Sequence, residues 1–197
     1  GIDPNMLIPT GPGKLQVAGH FISDTHDYGP VDMRRLLVKS SNIGSAKLAA
    51  MMSSGHMHDV LRRFGFGEDT QSGFPGESAA MLAAPNRWGP VEKATISYGY
   101  GLSVTPLQLA RAYAALANGG MMPDATFVKG AAGKRQRAID AAISSQVMHM
   151  LEAVTETGGT ATRAAIKGYR VAGKTGTSRR AVGGGYEKRY ISLFAGV

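Results

Sequence analysis

Apolar positions along this chain recur mostly at helical spacing, and a two-residue alternation takes over only near the C-terminal end. Residues 6–30 read as irregular or short extended structure, broken by Pro9, Gly11-Pro12-Gly13 and Gly29-Pro30. Asp32 to Lys39 predicts a short helix with Met33, Leu36 and Leu37 on one face. Ser40-Ser41-Asn42 interrupts it, because these side chains compete for backbone hydrogen bonds and favour caps and turns. A second helix follows with Ile43, Ala46 and Ala50 inward. Asp59 to Phe64 predicts another, closed by Gly65 as a left-handed cap, and residues 65–90 read as loop. Thr105 as N-cap and Pro106 at the first helical position open the clearest helix. Leu107, Ala110, Ala114 and Ala117 form its stripe, and Asn118-Gly119-Gly120 ends it. Ser144 reads as the cap of a further helix with Val147, Met148, Leu151 and Val154 inward, stopped by Gly158-Gly159. The last stretch alone reads as sheet. Tyr169 to Ala172 feeds Lys174, Tyr190 to Phe194 is a second strand, and Gly183-Gly184-Gly185 joins them as a hairpin. The class is therefore α+β, mostly helical, with one short antiparallel hairpin.

Composition narrows this picture little. The chain has 197 residues, 43% hydrophobic and 18% charged, which is globular rather than disordered and enough for one sizeable core. No apolar run approaches the roughly 18 residues of a membrane helix, and no signal peptide is visible. Gly1 to Asn5, ahead of Met6, reads as a vector-derived leader. That leaves residues 6–168 as the helical part and 169–197 as the hairpin. With no cysteine there are no disulfides or thiolate metal sites. The net charge of +8 sits in short clusters, Arg34-Arg35, Arg62-Arg63, Lys134-Arg135-Arg137 and Arg179-Arg180, with no interleaved aromatics. Ordinary surface charge is the better reading, and nucleic acid is not expected as a partner. His20, Asp24, His26, His56 and His58 suggest a metal, but no helical His pair and no obvious acidic third ligand accompany them. No metal and no cofactor are implied. The ten methionines read as core filler.

Two motifs carry chemistry. Gly168 to Thr175 matches the phosphate-loop pattern G-x-x-x-x-G-K-[ST] letter for letter. Such a loop follows a buried strand and opens a helix. Here Tyr169-Arg170-Val171-Ala172 are themselves strand-like, and Gly176 with more glycines beyond disfavours a helix. As a strand, Lys174 and Thr175 face opposite ways, and Gly176 leaves room for another backbone, as an edge strand that pairs with a peptide requires. Ser40-Ser41-Asn42 is the second motif. Alone it would be a helix cap, and its weight comes from Lys174-Thr175-Gly176-Thr177 far downstream. Acyl-transferring serine enzymes gather such clusters around one cleft, together with Ser-x-x-Lys. No lysine of this chain has a serine three residues before it, so the nucleophile motif is missing.

Further segments stand in a definite order: Asp24-Thr25-His26-Asp27-Tyr28-Gly29, Lys39 to Gly44, Arg63-Phe64-Gly65-Phe66-Gly67, Gly73-Phe74-Pro75-Gly76-Glu77, Tyr98 to Ala110, Gly158-Gly159-Thr160 and Val171 to Thr177. On these residues the chain, from about Leu7 to Val197, resembles the transpeptidase domain of class B penicillin-binding proteins, most closely the division-specific FtsI type. The resemblance implies part of the penicillin-binding transpeptidase, or serine β-lactamase-like, fold. It also implies a peptidoglycan D,D-transpeptidase whose serine is acylated by a stem peptide ending in D-Ala-D-Ala, and by β-lactams in its place. Carried over by position, Ser40 would relay a proton to the leaving nitrogen, and Asn42 would hold the substrate amide and the missing catalytic lysine. Lys174 would supply positive charge. Thr175 and Thr177 would bind the substrate carboxylate beside Gly176, with the Thr177 N–H as an oxyanion donor. Tyr98, Tyr100 and Arg179 would line the cleft. The implied setting is the periplasmic face of the inner membrane, held by an N-terminal anchor this chain lacks, with divisome membrane proteins as partners.

Without the nucleophile and with only part of the implied sheet, the chain reads as an inactive fragment of such an enzyme. A binding or antigen fragment without activity, or an inactive paralogue, is the alternative. The hairpin is then expected to be disordered, displaced from its family position or paired with a second copy, leaving Ser40, Asn42 and Lys174 less well gathered than in an intact enzyme.

Overall fold

Asp32 opens the first helix, α1 (Met33–Lys39), because its carboxylate accepts the Arg35 N–H at 2.7 Å. Ser40 ends α1 in left-handed backbone, φ 55° and ψ 47°. Ser41 at once caps α2 (Asn42–Ala50), its hydroxyl oxygen accepting the Gly44 N–H at 2.9 Å. The interruption read at Ser40-Ser41-Asn42 is thus one helix end abutting the next helix start. The computed structural model describes residues 2–130, 136–183 and 185–197. Gly1 of the leader, Lys134 and Arg135 of one basic cluster, and Gly184 of the hairpin turn lie outside the described residues.

The N-terminal stretch holds more sheet than its breakers suggest. Strands β1 (Ile8–Pro9) and β4 (Pro30–Val31) pair antiparallel, and so do β2 (Lys14–Val17) and β3 (His20–Ser23). A third pair, β5 (Met121–Met122) with β6 (Gln136–Arg137), follows later. The expectation of sheet only at the C-terminal end is corrected accordingly. These strands are two to four residues long and leave no readable alternation.

Helix α3 (Ser54–Arg63) starts well before Asp59, because the Ser53 hydroxyl caps it by accepting the His56 N–H. Helix α4 (Pro90–Ile96) falls where Gly89-Pro90 reads as a breaker; the proline occupies the first turn, where its missing N–H costs nothing. Helix α5 (Pro106–Ala117) has the expected start, with Thr105 and Gln108 bonding reciprocally as a capping box. Its buried residues are Gln108, Ala112 and Ala115; of the expected stripe, Leu107, Ala110 and Ala117 are exposed and Ala114 is half-buried. Helix α6 (Ala141–Glu152) begins at Asp140 rather than Ser144. Ser144 lies inside it, fully buried, donating to the Leu116 carbonyl at 2.6 Å. In α2, Ala49 takes the core place expected of Ala50.

The core lies between these helices and the first strands. Ile22, Ile43, Ala46 and Ala94 form one cluster, with Leu15, Val17 and Tyr98 packed on it. Ala49, Met57, Trp88 and Ile96 form another, and Ile8, Val31 and Leu36 a third under α1. Burying a side chain such as Ile43 contributes about 1.5–3 kcal/mol.

The C-terminal hairpin pairs β7 (Gly173–Val182) with β8 (Gly185–Gly196), setting Lys174 opposite Ala195, Gly176 opposite Leu193 and Ser178 opposite Ile191. This is the expected antiparallel partnership. Tyr169–Val171 precede the strand rather than form it. The hairpin packs on α5 and α6. No helix opens at Lys174, which removes the phosphate-loop reading.

Candidate active site

Two unrelated local rules set Ser40 and Lys174. Ser40 is held by the left-handed cap that ends α1, with its N–H returned to the carbonyls of Leu36 and Leu37. Lys174 is held by strand register near the start of β7. The Lys174 Nζ donates to the Ser40 Oγ at 2.8 Å, joining residues 134 positions apart, and also to the Thr175 carbonyl at 3.2 Å. Burial pushes the Lys174 ammonium down to about 8. Ser40 and Lys174 are thus in direct contact across the seam between α1 and β7.

Asn42 is the first residue of α2. Its side-chain NH2 donates to the Ser23 carbonyl at 3.2 Å, and its Oδ1 has no partner among the described residues, leaving an acceptor for an amide or ammonium. Asn42 makes no hydrogen bond to Lys174. Asp24 organises this turn. Its carboxylate accepts from the Ser41 hydroxyl at 2.5 Å, the Asn42 N–H at 2.7 Å and the Ile43 N–H at 3.2 Å. A carboxylate at a helix N-terminus satisfies orphan donors and opposes the helix dipole. Asp24 is thus engaged in shaping the turn, and among the described residues no cluster of three or more His, Asp or Glu side chains is placed to hold a metal ion.

Thr175 sends its hydroxyl to the Thr160 hydroxyl at 3.0 Å. The loop carrying Thr160 is tied to α1 twice, by Lys39 Nζ to the Gly158 carbonyl at 3.0 Å and by the Arg34–Glu156 ion pair at 3.1 Å. Thr177 is exposed and lies opposite Ser192. At Gly176 an added Cβ would meet the Leu193 side chain at 3.3 Å. Tyr98 packs on the core, its ring 6.0 Å from that of Tyr100 at 67°. Burial, and then Tyr100, push the Tyr98 hydroxyl above its ordinary range. The Tyr100 hydroxyl accepts the Arg179 N–H at 3.1 Å, and the Arg179 guanidinium lies 6.0 Å over the Tyr190 ring.

The structure therefore gathers Ser40 with Lys174 and Tyr100 with Arg179, and leaves Asn42 and Thr177 without a direct link to them. Sequence reasoning missed Asp24 as an organiser and Thr160 as a partner of Thr175. Both stand inside quoted motifs, and neither motif by itself assigns a contact. Chemically, the arrangement offers an amine that can gain or lose its proton near neutral pH, beside a hydroxyl able to pass a proton on.

The family described as penicillin binding protein transpeptidase domain matches residues 1–197. The chain is 41% identical over 197 residues to the probable peptidoglycan D,D-transpeptidase PenA of Neisseria flavescens, covering 99% of this chain and 49% of that protein. It is 41% identical over 196 residues to the peptidoglycan D,D-transpeptidase FtsI of Escherichia coli K12, covering 98% of this chain and 33% of that protein. Among solved structures, the apo transpeptidase domain of Burkholderia pseudomallei penicillin-binding protein 3 superposes with a TM-score of 0.92 at 40% identity. That match covers 98% of this chain and 60% of the other. The chain thus spans about half of the Neisseria relative and about a third of the Escherichia one.

Proposed function

The chain belongs to the penicillin-binding protein transpeptidase domain family, and on that premise we propose that it supplies one wall of the acyl-transfer cleft of a peptidoglycan D,D-transpeptidase. The single observation that carries this reading is the 2.8 Å hydrogen bond from Lys174 to Ser40. In the proposed reaction a serine outside this chain attacks the penultimate D-Ala carbonyl of a stem peptide. The proton it loses reaches the leaving amine through Ser40, whose hydroxyl Lys174 orients and whose proton affinity it lowers. Terminal D-Ala departs, and an amine of a second stem peptide resolves the acyl-serine. Asn42 Oδ1 receives the substrate amide or the catalytic lysine. The hydroxyls of Thr175 and Thr177 take the terminal carboxylate. The Thr177 N–H is one oxyanion donor, a contribution of about 2.7–4 kcal/mol to the transition state. Tyr98, Tyr100 and Arg179 line the cleft. β-Lactams would enter the same place. The setting we propose is the periplasmic face of the inner membrane, with division proteins as partners. This chain, having no Ser-x-x-Lys, is expected to be inactive alone.

A chimera tests the reading. The matching 196 residues of the Escherichia FtsI are replaced by this chain, and both proteins are incubated with a reactive penicillin and weighed intact. The chain alone should gain no mass and the chimera one drug adduct. Lys174→Ala in the chimera should slow acylation by about 100-fold or more. An adduct on the chain alone, or undiminished acylation of the Lys174→Ala chimera, would overturn it.

A further inference from the structure

The hairpin ladder fixes which main-chain groups of β7 face away from β8. Ala172 and Val197 exchange both of their main-chain hydrogen bonds, at 2.8 and 2.9 Å. In an antiparallel pair such residues alternate with ones whose N–H and C=O point outward. Lys174, Gly176 and Ser178 therefore turn theirs to β8, and Thr175, Thr177 and Arg179 present theirs on the free edge. Two side chains occupy that edge as this alternation requires. Lys174 Nζ donates to the Thr175 carbonyl at 3.2 Å, and the Tyr100 hydroxyl accepts the Arg179 N–H at 3.1 Å. Between them, the Thr177 N–H and C=O have no partner among the described residues. The edge is thus fully open at one residue and half-taken on either side of it. Beyond Arg179 the register slips before Ala181, which bends a strand and ends regular pairing.

Tyr100 is brought to this edge by the helical body. Past the end of α4, the Tyr98 and Tyr100 N–H groups both return to the Thr95 carbonyl, at 3.2 and 3.0 Å. Gly99 and Gly101 on either side of Tyr100 take left-handed backbone, φ 96° and 79°, which costs a glycine little. The Tyr100 ring meets the Tyr98 ring edge-on, and Tyr98 packs on the Ile22 and Ile43 cluster. The phenol therefore reaches the strand from a packed element.

We propose that Tyr100 determines how far a donor peptide is read through its main chain, by ending the pairing edge of β7 at Arg179. The inference rests on the acyl-transfer reading above. There the terminal carboxylate lies by Thr175 and the acylated carbonyl by the Thr177 N–H, so the peptide runs antiparallel to β7 with its N-terminal side toward Arg179. The acylated residue pairs with Thr177 through its own N–H and C=O, in the manner of an added strand. The next residue to meet the edge is two positions upstream, because pairing residues alternate. Its carbonyl would need the Arg179 N–H, which Tyr100 holds. Residues that far upstream contribute no main-chain pairing. A backbone that is branched or irregularly linked there is accepted as readily as a regular one.

The test uses the FtsI chimera and two thioesters, acetyl-D-Ala and acetyl-Gly-Gly-D-Ala, each joined to thioglycolate. The serine oxygen takes the acyl group, the carbon–sulfur bond breaks, and thioglycolate leaves with the proton of the hydroxyl. Rates of adduct formation are read by intact mass. The two thioesters should acylate within about twofold of each other, less than a full main-chain hydrogen bond contributes. In the Tyr100→Ala chimera the ratio of long to short should rise about threefold or more, the share of one such bond. A general loss of packing would slow both thioesters and leave that ratio alone. Should Tyr100→Ala lower the melting temperature, N-methylated substrates replace it on the unchanged chimera. Methylating the D-Ala nitrogen should slow acylation about fivefold or more, whereas methylating the first glycine should change it less than about twofold. A long thioester favoured on the unchanged chimera, a ratio unmoved by Tyr100→Ala, or a loss on methylating the first glycine would each overturn this proposal and leave the acyl-transfer reading standing. No adduct from either thioester would overturn both.

Discussion

The helical body and the β7–β8 hairpin hold their residues in different ways. In the body, Val31, Ile43 and Val154 are at most 1% exposed, and Val31 and Ile43 pack with neighbours from several elements. In the hairpin, Tyr190, Ile191, Leu193 and Phe194 are all more than 40% exposed, and most contacts of each strand are with its partner strand. The body is a core; the hairpin is a ladder leaning on α5 and α6. The candidate site lies on the seam. Ser40 inherits the rigidity of a helix end, whereas Lys174 is only as fixed as the ladder. An interaction that crosses such a seam reports on the weaker side.

The comparison breaks most visibly if core and ladder respond alike to truncation. Ile43→Ala should cost about 2–5 kcal/mol of global stability in chemical denaturation, while Ile191→Ala should cost within about 0.5 kcal/mol. Similar losses would show that the hairpin is part of one cooperative core. Hydrogen exchange sharpens the same contrast. Amides of 190–196 should exchange about tenfold faster or more than those of 107–117 in dilute monomer, because a two-stranded hairpin is marginal in water. Equal protection would contradict the distinction.

Removing the organiser of the turn is a smaller blow on the body side. Asp24→Ala should lower the melting transition by an amount equivalent to about 1 kcal/mol, the usual loss for a helix N-terminal acceptor. An unchanged transition would mean that water replaces the carboxylate fully.

The subtlest effect concerns Lys174. Its ammonium titrates near 8 when folded, against an ordinary 10.5. Between those values the unfolded chain holds a proton that the folded chain has released. Stability from this group therefore rises with pH across that window, and the penalty is complete below it. An NMR titration of lysine side chains should find one midpoint well below the rest, lowered further in Ser40→Ala, which removes an acceptor that favours the charged form.

Local signals were legible where local chemistry decides the outcome. Thr105-Pro106 and Gln108 announce the start of α5 because capping is a matter of neighbouring residues. Which side of α5 turns inward was not legible. Gln108 goes inside, bonding the Glu68 and Ala79 carbonyls, and a pattern of apolar letters cannot foresee a polar side chain that satisfies itself in the core. Motif order singled out Ser40 and Lys174 together, but not their direct contact. Asp24 was not legible, since its partners lie 17 to 19 positions away and the contact exists only once β3 lies beside α2. Strands of two to four residues are too short to print a period.

The left-handed backbone at Ser40 has a consequence for sequence drift. Threonine would keep the hydroxyl but, being β-branched, resists φ 55°. Glycine would accept the backbone and discard the hydroxyl. Asparagine tolerates the conformation but brings an amide in place of a proton-passing oxygen. Conformation and chemistry thus pull on separate substitutions, and no single exchange satisfies both. A position of this kind has almost no neutral neighbours in sequence space, so lineages that need the hydroxyl are left with serine.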